Sequence, residues 1–193
     1  MALEIHSGMG YYHPSTQKFI EVMLQENSPY IGLVPDMGLF CKRFPRVVKE
    51  CYLHKGANPA LVEYMVQAYD NGDRIMFNTK IIPAELEKQF NLSAIDREFI
   101  INTGGFEYND LSLLEQFMPY TRHIHGKFYE MLEDGEEYSI PYQEILDLFV
   151  KHGYNGFISS EYEGNRFIHD YAEVKSVEQV GFHQQMLTKY LGN

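Results

Sequence analysis

The stretch Gly-Tyr-Asn-Gly-Phe-Ile-Ser-Ser-Glu-Tyr-Glu, at residues 153–163, shows the unit from which the whole chain is built. Its glycine-bounded turn ends a helix pattern at residue 152 and redirects the chain. Residues 157–161 then form a short strand that finishes on Glu161. A last helix pattern follows at about 173–190. A strand that ends on a polar residue and leads into a helix is therefore the repeating unit.

The same strand pattern occurs three more times along the chain, at 2–6, 30–34 and 121–129. Amphipathic helices are predicted at 15–26 and 141–152. Their apolar positions recur every three or four residues, at Phe19, Ile20, Met23 and Leu24 and at Ile145, Leu146 and Phe149. Strands that alternate with helices predict a parallel sheet, in either a doubly wound fold or a (β/α) barrel. Right-handed crossovers bring all four strand ends to one face, which carries the chemistry in both folds.

An oversized insertion, residues 38–118, separates the second strand from the third. Helices are predicted within it at 45–53, 59–69, 83–90, 93–101 and 111–117. Ser93 and Asp96 resemble a helix cap and its partner in the first turn. Two interpretations of the insertion stay open. It is either a lid over the active face that determines the substrate, or an arm for packing or oligomerisation.

Composition limits the classes of function that fit the chain. Its 193 residues suit one domain, and 45% apolar and 22% charged residues are typical of a soluble globular protein. A formal net charge of -11 argues against nucleic acid and against an anionic membrane surface as partners. The same acidic balance is compatible with a divalent cation in a carboxylate pocket.

The location predicted from the sequence is cytoplasmic. Cys41 and Cys51 are ten residues apart and form no recognisable zinc or redox motif, so reduced thiols are expected. No signal-peptide pattern opens the chain, and no apolar run approaches the roughly 18 residues of a membrane span.

Each of the four predicted strands carries a side chain that can bind a metal at or near its end. These residues are Glu4, Asp36, His125 and Glu161. Three carboxylates and one imidazole suit a hard or borderline divalent ion and leave two positions for substrate oxygens. His123 shares a face with His125 because side chains alternate along a strand, so either histidine could be the ligand. Taken singly, an acid at a strand end is more often a solvated rim residue, and a lone histidine is more often structural. The prediction therefore rests on the agreement of all four strands.

Four segments together resemble the second half of the xylose isomerase-like barrel superfamily, which includes sugar phosphate isomerases and epimerases. They are Leu-Glu-Ile-His (3–6), Gly-Leu-Val-Pro-Asp (32–36), His-Ile-His-Gly-Lys (123–127) and the stretch at 153–163. The resemblance implies the C-terminal half of a TIM-type (β/α)8 barrel, with four βα units in a single partial domain over 1–193. It also implies one bound divalent ion on the four residues named above. Manganese is the first choice, with magnesium, zinc or cobalt as alternatives.

The resemblance implies a reaction in which a proton is abstracted next to a sugar carbonyl. In such enzymes the flanking carboxylates, here Glu4 and Glu161, can combine metal binding with proton transfer. His6 is the alternative base, since it lies two residues after Glu4 on the same strand face and imidazole is the most common general base in enzymes. Lys127 and Arg166 are candidate contacts to sugar hydroxyls, phosphate or an enolate oxygen.

Two features separate the chain from parts of that superfamily. Ketose 3-epimerases have a histidine three residues after the aspartate, where this chain has Leu39. The stretch at 34–48 and the long insertion are more similar to catalytic subunits of C-glycoside deglycosidases, which are lyases on 3-oxo-glycosides that work beside a small β-subunit. Besides a sugar isomerase or epimerase and a deglycosidase-type lyase, a non-catalytic half-barrel that binds a sugar or a partner subunit is the third possible function.

The number of strand-helix units predicts a partner for the chain. A complete barrel of this type has eight units, and four are present here. The other half is therefore missing, carried by another chain, or replaced by a second copy. Open sheet edges invite pairing, so a homo-oligomer or a partner chain is expected, with a sugar or glycoside as the ligand.

Overall fold

The computed structural model describes residues 1–73, 81–169 and 171–192. The strands are β1 (Ala2–Ile5), β2 (Gly32–Pro35), β3 (Ile124–Phe128) and β4 (Ile158–Tyr162). The helices are α1 (Pro14–Glu26), α2 (Arg46–His54), α3 (Pro59–Asp70), α4 (Ala84–Phe90), α5 (Ala94–Thr103), α6 (Leu111–Phe117), α7 (Tyr142–Lys151), α8 (Asn165–Ile168) and α9 (Ser176–Leu191). Within these residues, no helix is both long and apolar enough to cross a bilayer.

The strands run parallel and lie side by side in the order of the chain. β1 pairs with β2, and β3 pairs with β4. Isolated parallel bridges from Leu33 to Thr121 and from Asp36 to His125 join the two pairs. The carboxyl ends of all four strands therefore meet at one edge, as the alternation of strands and helices predicts.

The observed bounds differ from the predicted ones where tertiary contacts limit the pairing. The third strand was predicted from residue 121, but β3 begins at Ile124, because a 3-10 turn at Met118–Tyr120 precedes it. At β2, a side chain on Gly32 would lie 2.4 Å from the carbonyl oxygen of Tyr120, so only glycine lets the two segments approach. A second 3-10 turn, Met37–Leu39, and the one-turn helix α8 were not predicted, since neither is long enough to show periodicity.

Most of the predicted apolar stripes are buried, with one exception. Ile145, Leu146 and Phe149 of α7 are buried, as are Ile20 and Met23 of α1. Leu24, however, is 46% exposed, and its predicted place in the stripe is wrong. Thr16, Ile20 and Met23 form the buried row of α1, because their spacing of four and three keeps them on one face.

The insertion is helical and has its own aromatic core. Phe44 makes edge-on contacts with Tyr69, Phe99 and Phe106, at ring-centre distances of 5.6, 6.0 and 5.3 Å. Phe106 in turn contacts Tyr129, next to the end of β3, so the insertion packs on the strand ends. The capping box predicted for the helix at 93–101 is present at the start of α5. Residues 74–80 of the predicted insertion lie outside the described residues.

Candidate metal centre and adjoining cavity

The four predicted metal ligands lie together on one face at the strand ends. Glu4 in β1 is paired in register with Val34, two residues before Asp36. Asp36 follows β2, caps the 3-10 turn there, and forms a bridge with His125 of β3. Glu161 of β4 completes the row. Because side chains alternate along a strand, these registers direct all four to the same side of the sheet.

Direct contacts link the four side chains to one another and to Lys127. His125 Nδ1 is 2.9 Å from Glu4 Oε1 and 3.9 Å from Glu161 Oε2. Lys127 Nζ is 2.5 Å from Asp36 Oδ2 and 3.9 Å from Glu161 Oε2. Within the described residues, no three His, Cys, Asp or Glu side chains form a ready-made metal-binding group. Instead, the Lys127 ammonium lies beside the two carboxylates at the centre of the face.

Histidine 125, rather than His123, contacts the carboxylates. The His123 ring turns to the side, with Nε2 2.8 Å from Ser159 Oγ. Leu39, which replaces the histidine of ketose 3-epimerases, is fully buried in the core and offers no ligand. Of the two histidines that alternation left open, His125 is therefore the one that lies beside the carboxylates.

Burial makes the central acid costly to ionise. Asp36 is fully buried, and this desolvation raises the pKa of its carboxyl group, although Lys127 and the N–H of Gly38 oppose the rise. Burial also opposes the charge of Lys127, but Asp36 outweighs it and raises the lysine pKa, so the proton stays on Lys127. The pKa of Glu161 is likewise raised, first by burial. A second positive charge near these carboxylates would offset that cost.

Two carboxylate oxygens support a fit to a divalent ion. Asp36 Oδ2 and Glu161 Oε2 are buried and make no hydrogen bond to any described residue. Lys127 Nζ lies 2.5 Å from the first of them and forms an ion pair with it. Buried carboxylate oxygens that make no hydrogen bond are unusual in folded proteins, and carboxylate oxygens are hard ligands of the kind that Mn²⁺ or Mg²⁺ takes. The chemistry of these oxygens therefore suits such an ion, although the side chains are not gathered into a ready-made site.

A cavity of about 420 Å³ adjoins this face, a size within the usual range of small-molecule sites. His6 and Lys127 line its inner wall. His6 Nδ1 is 2.9 Å from the carbonyl oxygen of Ser7. A carbonyl only accepts hydrogen bonds, so Nδ1 of the neutral ring carries the proton and Nε2 keeps its lone pair. His6 thus has the tautomer that a general base needs.

Of the two predicted substrate contacts, Lys127 is enclosed and Arg166 is at the mouth of the cavity. The Lys127 side chain is 15% exposed, whereas that of Arg166 is 70% exposed. Arg166 Nη1 donates to Glu163 Oε2 at 2.9 Å, and both residues line the cavity.

Sequence reasoning missed the outer wall, which the insertion supplies. Tyr52 of α2, Lys55 at the end of that helix, and Glu98 and Asn102 of α5 line the cavity opposite His6. No signal at a strand end marks them, since they belong to helices remote in sequence from the strands. Their spacing of three and four residues on each helix was the single local hint that they share a face.

The chain is similar to curated deglycosidase subunits. It is 31% identical over 178 residues to the 3'-dehydrocarminate deglycosidase alpha subunit of a Microbacterium species, covering 85% of this chain and 50% of that protein. It is 32% identical to the C-glycoside deglycosidase alpha subunits of Microbacterium trichothecenolyticum (178 residues) and Arthrobacter globiformis (176 residues), each covering 85% of this chain and 47% of the relative. No family model matches the chain.

The comparisons bear on the predictions in two ways. The similarity to deglycosidase subunits confirms that part of the predicted resemblance, whereas the relatives lend no support to an isomerase or epimerase. The relatives are named alpha subunits, as components of multi-subunit enzymes are. The chain spans about half the length of these relatives.

Proposed function

We propose that the chain supplies the metal-binding, proton-abstracting part of a C-glycoside deglycosidase-type lyase that acts on 3-oxo-glycosides. One observation carries the proposal: three carboxylates and an imidazole converge at the strand ends, beside the cavity that His6 lines. The similarity to deglycosidase alpha subunits supports this lyase over a sugar isomerase or epimerase.

The residues that would hold one divalent ion, manganese first, are Glu4, Asp36, His125 and Glu161. When bound, the ion would lower the free energy of negative charge on the sugar carbonyl oxygen. Its two charges would also offset the burial of Asp36 and Glu161. The buried Glu161 Oε2, which makes no hydrogen bond to a described residue, is the best evidence for it. Glu4 already contacts His125 at 2.9 Å, which leaves His6 better placed than Glu4 to act as the base.

His6 would take a proton from the carbon next to the carbonyl through its free Nε2. The electron pair of that C–H bond moves onto the carbonyl oxygen. When this pair returns, the carbonyl re-forms, a carbon–carbon double bond forms between the next two carbons, and the bond to the aglycone breaks. The aglycone leaves with the electron pair of that bond and takes a proton from water, and protonated His6 returns its proton to the solvent. Lys127, whose charge Asp36 maintains, faces the same cavity and would stabilise the negative charge that develops on the substrate.

We also propose that further strands complete the barrel, from a partner chain or a second copy. In the described residues, β1 and β4 each pair on one side, so two parallel edges are open. Open edges favour pairing, and the relatives are about twice as long as this chain. Size-exclusion chromatography tests this part, and a stable monomer that cleaves a 3-oxo-glycoside would contradict it.

The first experiment is Mn²⁺ titration of the purified chain, followed calorimetrically. Glu161→Gln removes one negative ligand, so its Mn²⁺ affinity should fall at least tenfold. Glu133→Gln is the matched control, since Glu133 is exposed in the turn that follows β3 and is not one of the four predicted ligands. If the wild type binds no Mn²⁺ and Glu161→Gln changes nothing, the metal site and the enzyme are both wrong.

The second experiment assays 3-oxo-C-glycosides and free ketoses side by side with the Mn²⁺-loaded protein. Aglycone release with no ketose turnover is expected for the lyase. His6→Asn should abolish release while Mn²⁺ binding is retained, because it removes the base and not a ligand. Ketose turnover without aglycone release would instead establish an isomerase.

A further inference from the structure

The outer wall of the cavity is a connected polar cluster, not a random surface. Asn102 Nδ2 donates to the hydroxyl of Tyr52, which donates to Glu98 Oε1 at 3.1 Å. Lys55 Nζ is 3.8 Å from the same Glu98 oxygen and 5.2 Å from the centre of the Tyr52 ring. A chain of hydrogen bonds therefore runs along this wall, across the cavity from His6.

Burial divides the cluster into a fixed anchor and accessible tips. Tyr52 is 2% exposed and packs its ring against Phe99 at 5.1 Å, so its hydroxyl is held in place. The side chains of Glu98 and Lys55 are 47% and 34% exposed. Asn102 is exposed as well. Donors and acceptors are thus presented to the cavity from a rigid base, which lowers the entropy cost of binding.

Each cation that lines the cavity already has a carboxylate beside it, and this favours an uncharged ligand. Lys55 lies near Glu98, Arg166 pairs with Glu163 at 2.9 Å, and Lys127 lies 2.5 Å from Asp36. A phosphate group would have to compete with these carboxylates for each cation, and it would lose its hydration for contacts that the cations already make. A hydroxyl group, which both donates and accepts, matches a wall that carries amide, carboxylate and ammonium groups.

We infer that Tyr52, Glu98 and Asn102 form a distal subsite that binds a hydroxyl group of an uncharged glycoside, away from the reacting carbon. Asn102 and Glu98 contact the hydroxyl, and Tyr52 positions both side chains. The inference rests on the proposed function for the identity of the substrate. It makes the insertion a determinant of substrate choice, the first of the two roles that its sequence left open.

Binding to an unreactive ligand tests the subsite apart from catalysis. The probe is 4-hydroxyphenyl C-glucoside, which has no 3-oxo group, titrated calorimetrically into the full chain. Asn102→Ala should raise its Kd about threefold to tenfold, the ratio expected for one lost hydrogen bond. Gln89→Ala is the control, since Gln89 is exposed in α4 of the same insertion and does not line the cavity.

Glu98→Gln provides a second variant that keeps the shape of the wall. It should raise the Kd of the same glucoside by a similar factor and raise KM, but leave kcat within twofold, in the 3-oxo-glycoside assay. Repeating the titration with phenyl C-glucoside and with the 6-deoxy sugar identifies the hydroxyl. The effect of Asn102→Ala disappears with whichever probe lacks the group that is bound.

The possible failures are distinguishable. If 3-oxo-glycosides are cleaved but Asn102→Ala and Glu98→Gln leave Kd and KM unchanged, the subsite is wrong and the lyase stands. If no cleavage occurs but both variants weaken glucoside binding, the subsite stands and the lyase falls. A wild-type chain that binds neither glucoside overturns the subsite as well.

Discussion

Replacement of the buried His183 should remove a defined part of the protein's sensitivity to acid. His183 of α9 is fully buried, with its ring stacked on Phe128 at 4.3 Å and Nδ1 2.8 Å from Ser160 Oγ. Its Nε2 is a buried atom without a hydrogen-bond partner among the described residues. Burial therefore lowers the pKa of His183 from 6.5 to about 4.

The size of the effect follows from proton linkage. The unfolded chain binds a proton at this position near pH 6.5, whereas the folded chain binds it near pH 4. The stability that neutral His183 allows is complete above pH 6.5 and is lost as the pH falls toward 4. At about 1.4 kcal/mol per pKa unit, the loss between pH 7.5 and pH 5.0 amounts to roughly 2 kcal/mol.

Urea unfolding of wild type and His183→Phe at several pH values between 7.5 and 5.0 tests this prediction. Phenylalanine preserves the stacked ring and has no titrating group, so the wild type should lose about 2 kcal/mol more than the variant over this range. Burial raises the pKa of Glu137 to about 7, so its contribution to the unfolding free energy grows as the pH falls, opposite to that of His183. Glu137 is present in both proteins, so its contribution cancels when the two pH profiles are subtracted.

Gln184→Ala is the matched control for His183→Phe. Gln184 also contacts Ser160 but carries no titrating group, and the pH profile of this variant should run parallel to that of the wild type. If wild type and His183→Phe differ by less than about 0.5 kcal/mol in pH dependence, the assignment of a neutral, buried His183 is refuted.

Two further substitutions probe buried polar groups. Glu137→Gln should cost about 2–4 kcal/mol of unfolding free energy, because the Glu137 oxygens accept four backbone N–H groups and an amide nitrogen would face some of these donors. The control Glu133→Gln should cost under about 0.5 kcal/mol. Equal costs for the two variants would contradict this account. Tyr11→Phe should leave stability unchanged or raise it by about 1 kcal/mol, since the buried Tyr11 hydroxyl has no hydrogen-bond partner among the described residues. Tyr142→Phe should instead cost about 1 kcal/mol, because it loses a 2.8 Å hydrogen bond to the carbonyl oxygen of Lys127. The sign of the difference in urea midpoint between these two variants decides that case.

The strand ends were predictable because their signals are local. A short apolar run and the polar residue that ends it are adjacent in sequence, and parallel pairing then brings such ends together whatever the loops do. Glu4, Asp36, His125 and Glu161 were found in this way, and they lie on one face. The close contact of Lys127 with Asp36 was not predicted, since it depends on the exact register of β2 and β3.

Features that depend on distant segments could not be read from the chain. The sequence shows Glu137 in an acidic loop at 133–137, yet it is buried because the backbone of that loop folds around its carboxylate. Likewise, Tyr52 and Asn102 are fifty residues apart in sequence, and only the packing of α2 on α5 through Phe99 brings them together. Such sites depend on contacts between segments that are far apart in sequence, and local periodicity carries no information on those contacts.

The insertion and the strand ends hold each other in place, and this explains why the cavity has its shape. Glu107 of the insertion accepts a 2.7 Å hydrogen bond from the N–H of Gly8, at a positive φ of 86° that favours glycine. The carbonyl of His6 accepts from the N–H of Met9 within the same turn. The loop that carries His6 is thus tied to the same insertion that supplies the outer wall. A movement of the insertion would therefore displace both walls of the cavity together. The distance between His6 and the polar cluster of Tyr52, Glu98 and Asn102 would then be preserved.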